Sequence, residues 1–471
     1  MLLELAKDML PKDNALPYST YEAKKSLSRM SLPYEKIHAC PNDLPRFKRW
    51  FSKAEDAKKL TWNFDSRVDD GMLRHPADSP QWRFIDGKFP DFAQEKRNLR
   101  LALSTDGFNL FGSLSNTYST WSVMLVTYNL PPSLCMKRRY MFLSLLIQGP
   151  KQPGNDIDVY LTLVINDLIM LWEEGVEVFD AYRNENFNLT AMPFCTIQDF
   201  PAYGNLSGYT VKGKTACPIS MEDCMGTWLN VSKKHVYPNV CDSVIGTLLN
   251  IDGKTKDGKK ARDDLKDMAI RGELHAIDND IGRTYLPPAA FTLLRKEKIE
   301  FCESLARVKV PEGYSSNIRN LVNMETLKLV GLKSHDCHVL MQQLLPVAIC
   351  SILPKDVRFA IIRLCGFFHA IYSKVIDPKE LTTLKNEIIV LVLCQLEMYF
   401  PPSFFDVMVH LPVHLVREIR YCGPVHMRNQ WCFERKMKTY KGFVKNAFHP
   451  EGCIAERLFY EEVLAHTGDF F

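Results

Sequence analysis

NLRLALSTDGFNLFG, residues 98–112, is the stretch on which the fold turns. Leu99, Leu101 and Leu103 recur at every second position, the period of a strand with one face in a core. The apolar run stops at Asp106-Gly107, which puts a carboxylate where a strand leaves its sheet. An aspartate-glycine pair after a strand is also an ordinary turn, and spacing alone leaves both readings open. One acid does little chemistry by itself. Two or three converging acids can hold metal ions.

Further strands follow. The β-branched and aromatic run WSVMLVTYNLPP ends at Pro131-Pro132 and predicts a second strand; RRYMFLSLLIQGP, closed by Gly149-Pro150, predicts a third. The period then changes. Ile157, Tyr160, Leu161, Val164, Ile165, Leu168, Leu171 and Trp172 fall at spacings of three and four, one apolar helical stripe. Asn155 or Asp156 can cap its start and Gly175 can end it. A fourth strand, PFCTIQDFP, finishes at Asp199 just before Pro201.

The order strand, strand, strand, helix, strand is the layout of an RNase H-like mixed sheet. Asp106 and Asp199 stand at the ends of the first and fourth strands, 93 residues apart in sequence. A helical crossover can close that gap. Carboxylate oxygens suit Mg²⁺ or Mn²⁺, and two such ions about 4 Å apart can activate a nucleophile and stabilise a leaving oxygen at phosphorus.

Bulk composition sets the outer limits. With 46% hydrophobic and 11% aromatic residues, the 471-residue chain is globular rather than disordered. A net charge of +4 is small for this length, so any nucleic-acid binding must come from a local patch. Fourteen cysteines occur without one Cys-x-x-Cys pair. MLLELAKDML reads as a short amphipathic helix rather than a secretion signal, and no apolar run approaches the roughly 18 residues of a membrane span. Reduced thiols in an intracellular protein are the expectation.

Four regions emerge. Residues 1–97 are polar and broken by prolines, residues 98–250 hold the sheet, and residues 251–331 form a charged linker with connecting helices. In that linker GKTKDGKKARDDLKDM reads as a solvated loop and helix. Residues 332–471 form a mostly helical domain, in which Leu381, Leu384, Ile388, Leu391 and Val392 are spaced like one buried helix. The fold class is α/β followed by α.

Several strings resemble plant CACTA-type (En/Spm) DNA transposases across nearly the whole chain: YEKIHACPND, DGMLRHPADSPQW, STDGFNLFGSLSNTYSTW, GPKQPGNDIDVYL and CTIQDFPAYGNLSGYTVKGKTACP, then GLKSHDCHVLMQQLLP and FPPSFFDVMVHLPVHL. The last two resemble a domain of unknown function that follows the transposase core in such elements. The resemblance implies an RNase H-like nuclease core with an Asp-Asp-Glu triad that cuts element ends and joins them to target DNA. Asp106 matches the first acid and Asp199 the second. It also implies DNA as partner, possible association with intact transposase, residence in the nucleus, and neither a membrane nor a small-molecule substrate.

Three departures qualify the resemblance. After Cys40 the zinc-ribbon-like segment gives way at once to LPRFKRWF, so no complete zinc site is expected. The Cys-Pro-x-Cys of the family reads Cys217-Pro218-Ile219-Ser220. The junction KKHVYPNVCDSV places Tyr237 and Pro238 where the family has a glutamate and a lysine. That glutamate is taken as the third metal ligand; Glu222, Asp223 and Asp242 lie nearby, but none matches the lost position.

Arg417–Lys445 carries eight cations (Arg417, Arg420, Arg428, Arg435, Lys436, Lys438, Lys441, Lys445) against Glu418 and Glu434. Tyr421, Trp431, Phe433, Tyr440 and Phe443 are interleaved. Arg428, Arg435, Lys436, Lys438, Lys441 and Lys445 are the candidate nucleic-acid contacts, because cations neutralise phosphates and rings stack on bases. A solvated helix face with core aromatics fits the pattern equally well. His410 and His414 flank Pro412, which interrupts a regular helix, so packing is expected in place of a zinc pair; His335 and His338 likewise lack further ligands.

The reading is therefore a transposon-encoded protein derived from a metal-dependent (Mg²⁺ or Mn²⁺) DNA transposase that lacks its third acid and is catalytically defective. Alternatives are a non-enzymatic DNA- or protein-binding protein built on the helical domain, or a decayed reading frame.

Overall fold

The computed structural model describes residues 44–467 and the two-residue strand at 38–39, apart from residues 112–117, 209–235, 279–283, 312–313 and 315. The expected first helix, Cys40, the Cys217–Ser220 motif, Glu222 and Asp223 lie outside the described residues.

Strand β1 (His38–Ala39) and helix α1 (Leu44–Ser52) come first. Helix α2 (Pro80–Lys88) begins where the Ser79 hydroxyl accepts a hydrogen bond from the Trp82 amide at 3.3 Å, with proline in the first turn. Then follow β2 (Leu99–Phe108), β3 (Thr120–Thr127), β4 (Met141–Ile147) and α3 (Ile157–Glu173). A hairpin of β5 (Val176–Asp180) and β6 (Glu185–Leu189), which the sequence pattern does not reveal, leads to β7 (Ala191–Gln198) and the short α4 (Phe200–Ser207). The main sheet has the order β1-β4-β3-β2-β7; β2 and β7 are parallel, and the other neighbours are antiparallel. The α/β part of the fold class is thus present, and the crossover through α3 sets β7 beside β2.

Two expectations for β2 need correction. It is buried on both faces rather than one: Arg100, on the face opposite the leucines, is 3% exposed. Its guanidinium lies 4.4 Å from the Trp82 ring and 4.8 Å from that of Phe92 and pairs with Asp86, so the charge is both stacked and neutralised. The strand also does not stop at Asp106-Gly107. It continues to Phe108, with Asp106 opposite Ser122 and Gly107 opposite Trp121. A β-carbon at Gly107 would sit 2.7 Å from the Trp121 indole. The glycine is there for the ring, not for a turn.

Beyond α4 a helical body forms: α5 (Val236–Leu248), α6 (Lys259–Asp267), α7 (Arg295–Ala306), α8 (Lys355–Ile371) and α9 (Pro412–Cys422), with shorter helices between them. Val240, Ile245, Phe301, Leu364, Phe368 and Ile419 belong to its one apolar cluster. The charged segment at 253–268 is a loop and helix, but not merely solvated: Arg262 is 1% exposed and pairs with Asp257 at 2.5 Å. Within Glu380–Tyr399 the helix widens into π turns over Glu387–Leu393, which shifts the register and leaves Leu391 41% exposed while Leu381, Ile388 and Val392 stay buried.

The chain then returns to the sheet. Helices α10 (Trp431–Phe443) and α11 (Pro450–Thr467) put Phe433, Met437, Tyr440 and Ile454 into the apolar cluster of β2, β3, β4 and β7. The packing boundaries thus differ from the sequence boundaries. Val236–Leu248, grouped with the sheet by sequence, packs in the helical body, as do the helices of 251–331; residues 427–458, grouped with the helical domain, pack on the sheet.

Candidate functional site

Asp106 and Asp199 come together at one end of the sheet. The last paired residues of the parallel strands are Thr105 and Gln198, so each acid is the next residue of its strand. Neighbouring strands are about 4.8 Å apart, which sets the distance between the two backbones. The layer beneath is fixed: Gln198 Oε1 accepts from the Thr105 hydroxyl at 2.6 Å and from the Thr105 amide at 3.1 Å. Asp106 and Asp199 are 7% and 8% exposed. Asp199 is also the N-cap of α4; its Oδ1 accepts from the Ala202 amide at 2.7 Å, so backbone donors orient the carboxylate.

Helix α10 lies against the same strand end, and sequence reasoning missed its consequence. Gln430, at its N-cap, donates to the Thr105 carbonyl at 3.1 Å. Lys441 Nζ sits 5.9 Å from the centre of the Phe108 ring. These contacts bracket Asp106, which shares a face of β2 with Phe108. At about 100° per residue, Glu434 projects about 20° from Lys441 and about 40° from Gln430, toward the strand end that carries Asp106. Lys436 projects about 160° from Glu434, and it does reach the other way: its ammonium donates to the Arg138 carbonyl, at the entry to β4. Glu434 is half-buried. As the side chains stand, no three acids, histidines or cysteines among the described residues form a group that could hold a metal ion.

The neighbouring candidates sort clearly. Asp242 belongs to the helical body, where it pairs with Lys254 at 3.0 Å. Glu451, in the first turn of α11, is 1% exposed at the same sheet end; its Oε1 accepts from Tyr118 (2.8 Å), Thr120 (2.7 Å) and the Gly149 amide (3.2 Å). Burial and this carboxylate both raise the Tyr118 pKa, keeping the phenol a donor.

Arg428 is not a nucleic-acid contact. It is 1% exposed, and its guanidinium donates to the Gly423 carbonyl and faces Glu418 at 4.0 Å. Of the other five, Arg435, Lys438 and Lys445 are exposed and Lys436 and Lys441 are half-buried. Trp431, Arg435, Lys438 and Lys445 share the outer face of α10, with Arg435 3.8 Å from the Trp431 ring. Phe433 and Tyr440 are core, as a solvated helix face requires.

Pro412 begins a new helix between the two histidines, and His410 and His414 meet through their Nε2 atoms at 3.0 Å. His335 contacts Asp336, whereas His338 packs edge-on against Tyr372, where burial lowers its pKa to about 4.

Comparison with protein families follows this geometry. Residues 70–242 match the model of the transposase family tnp2, spanning α2, the whole central sheet and both aspartates. The chain contains a transposase-like core segment. A second match, to a domain of unknown function (DUF4218), covers residues 371–471. The transposase-like segment and this second domain share one apolar core, because α10 and α11 pack on the sheet of the first. No curated protein matches the chain. No helix among the described residues is long and apolar enough to cross a membrane.

Proposed function

We propose that the chain is a transposon-derived, metal-dependent DNA strand-cleaving and strand-joining protein of the plant CACTA (En/Spm) kind, acting in the nucleus. In this reading the sheet is an RNase H-like core, and Asp106, Asp199 and Glu434 are its three acids. The observation that carries it is the placement of α10: Gln430 and Lys441 reach either side of Asp106, and Glu434 projects with them. The glutamate missing near Tyr237 is then supplied from 192 residues beyond Asp242, after the helical body.

The donor set suits Mg²⁺ or Mn²⁺, since all three groups are hard carboxylate oxygens. Such ions, when bound, would lower the pKa of the attacking water and offset charge on the leaving 3′ oxygen. The chain's own part is orientation. Ala202 N–H aims Asp199, Gln198 ties β7 to β2, and Gln430 seats α10 on Thr105. The exposed Arg435, Lys438 and Lys445 and the Trp431 ring then face the DNA.

Cleavage of duplex carrying the element's ends, with Mn²⁺ or Mg²⁺, tests the reading. Asp106→Asn, Asp199→Asn and Glu434→Gln should each lower the rate by at least about a hundredfold while duplex affinity holds. Full cutting by Glu434→Gln would remove that residue from the triad. No cutting by the unaltered chain would instead favour a DNA-binding protein without catalysis.

A further inference from the structure

The side of α10 turned away from the carboxylates borders a cavity of about 250 Å³. Arg46 and Arg49 reach it from α1, Arg138 and Arg139 from the entry to β4, and Lys436 from α10; Glu461 is the one acid in its wall. Trp50, Phe142 and Tyr440 form apolar sides. Asp56 neutralises Arg139 at 2.6 Å, and Glu461 is engaged by Arg457 at 3.2 Å. Arg49 and Arg138 have no acid partner among the described residues. Lys436 is held between Arg138 and Arg46, and burial together with these neighbours lowers its pKa. Five cations gathered around one shared acid are costly to assemble unless an anion completes them.

We infer that this cavity is a phosphate-binding site, and that the phosphate it takes is one of the DNA backbone, held apart from the site of strand cleavage. The inference rests on the DNA-directed reading above. The arginines offer planar, forked donors suited to phosphate oxygens, and the aromatic walls keep those forks in place. Spacing supports a shared duplex. Phe142 pairs with Leu125, and Leu125 with Leu103, three residues before Asp106. The cavity wall therefore lies about 14 Å from the Asp106 backbone, roughly four nucleotide steps at 3.4 Å each. A strand gripped here has a phosphate fixed while another is presented to the acids.

The test uses the full chain and a double variant, Arg49→Gln with Arg138→Gln, chosen because neither side chain is buried. Binding of a fluorescent duplex is measured over a salt series, beside a control, Lys266→Gln with Lys296→Gln, on exposed faces of the helical body. Expected for the cavity variant are a tenfold or greater loss of affinity and a fall of about 1.8 in the slope of log K against log salt, with the control unchanged. Calorimetric titration with inorganic phosphate forms the second arm. Phosphate that binds the unaltered chain and not the variant, with duplex affinity and slope unchanged, would overturn the DNA assignment and leave a free-phosphate site. Equal losses in variant and control would show a general charge effect and overturn the site. Unchanged duplex binding by the cavity variant, beside lost cutting in the acid variants, would sink this inference alone; no duplex binding by the unaltered chain would sink both.

Discussion

At the scale of single residues, burial decides what a side chain does here more than its type. His75 has no exposed surface, and its Nδ1 accepts from the Ala77 amide at 3.1 Å, which requires a neutral ring. Burial, helped by His426 and Arg67, lowers its pKa to about 3. An unfolded histidine takes up its proton near pH 6.5, so between about pH 6.5 and 3 the unfolded chain binds one more proton than the folded chain. Stability contributed by this group is therefore complete above that window and falls on acidification, by on the order of 1.4 kcal/mol per pH unit. His75→Asn keeps a side-chain acceptor for the Ala77 amide but cannot titrate. Urea midpoints measured from pH 7 to 4 should fall less steeply for this variant than for the unaltered chain; parallel curves would show that His75 is not the titrating group.

Among elements, those with local periodicity are the ones legible in sequence. The leucines of β2 alternate, the stripe of α3 repeats at three and four, and Asp199 precedes a proline in a helix's first turn. What stays hidden depends on contacts between distant residues. Arg100 looks like the polar side of a half-exposed strand until Trp82, Phe92 and Asp86 cover it. The hairpin of β5 and β6 is two five-residue strands, one of them the polar ENFNL, too short for a period to show. Glu434 counts only as one of two acids in a basic stretch until Gln430 meets Thr105 across 325 residues. Glu451 shows how such an element is held. Its carboxylate gathers three donors from the ends of β3 and β4 and lies in the first turn of α11, where the helix dipole favours negative charge. Glu451→Ala leaves buried donors unmatched and should cost about 3 kcal/mol in urea unfolding. Glu451→Gln, which keeps one acceptor oxygen, should cost less. Equal midpoints for all three chains would mean that α11 is anchored by its apolar contacts alone.

For the molecule as a whole, the sheet is built from both ends of a long interruption. The chain leaves it after α4, builds the helical body, and returns at Met427, whose carbonyl accepts from the Tyr128 hydroxyl at 2.9 Å. A link at Leu73 and Ile376, paired as an isolated bridge, ties the segment before the sheet to the helical body. The family match at 70–242 accordingly does not mark an independent unit. Its core is closed by Met427, Phe433, Met437, Tyr440 and Ile454, all from the second matched segment. At about 2 kcal/mol for each buried side chain, those five contribute on the order of 10 kcal/mol, comparable with the entire stability of a domain. A chain ended at residue 424 should therefore lose its folded sheet even though every strand is present. Amide exchange of β2 and β3 reads this directly: protection should vanish in the shortened chain and survive in the full one. Because α10 also carries Glu434, the same cut should abolish cleavage, and supplying residues 425–471 as a separate peptide should restore protection and cutting together. Protected strands in the shortened chain would show that the sheet closes its core without α10 and α11, and the dependence of the acid site on the returning helix would then have to be given up.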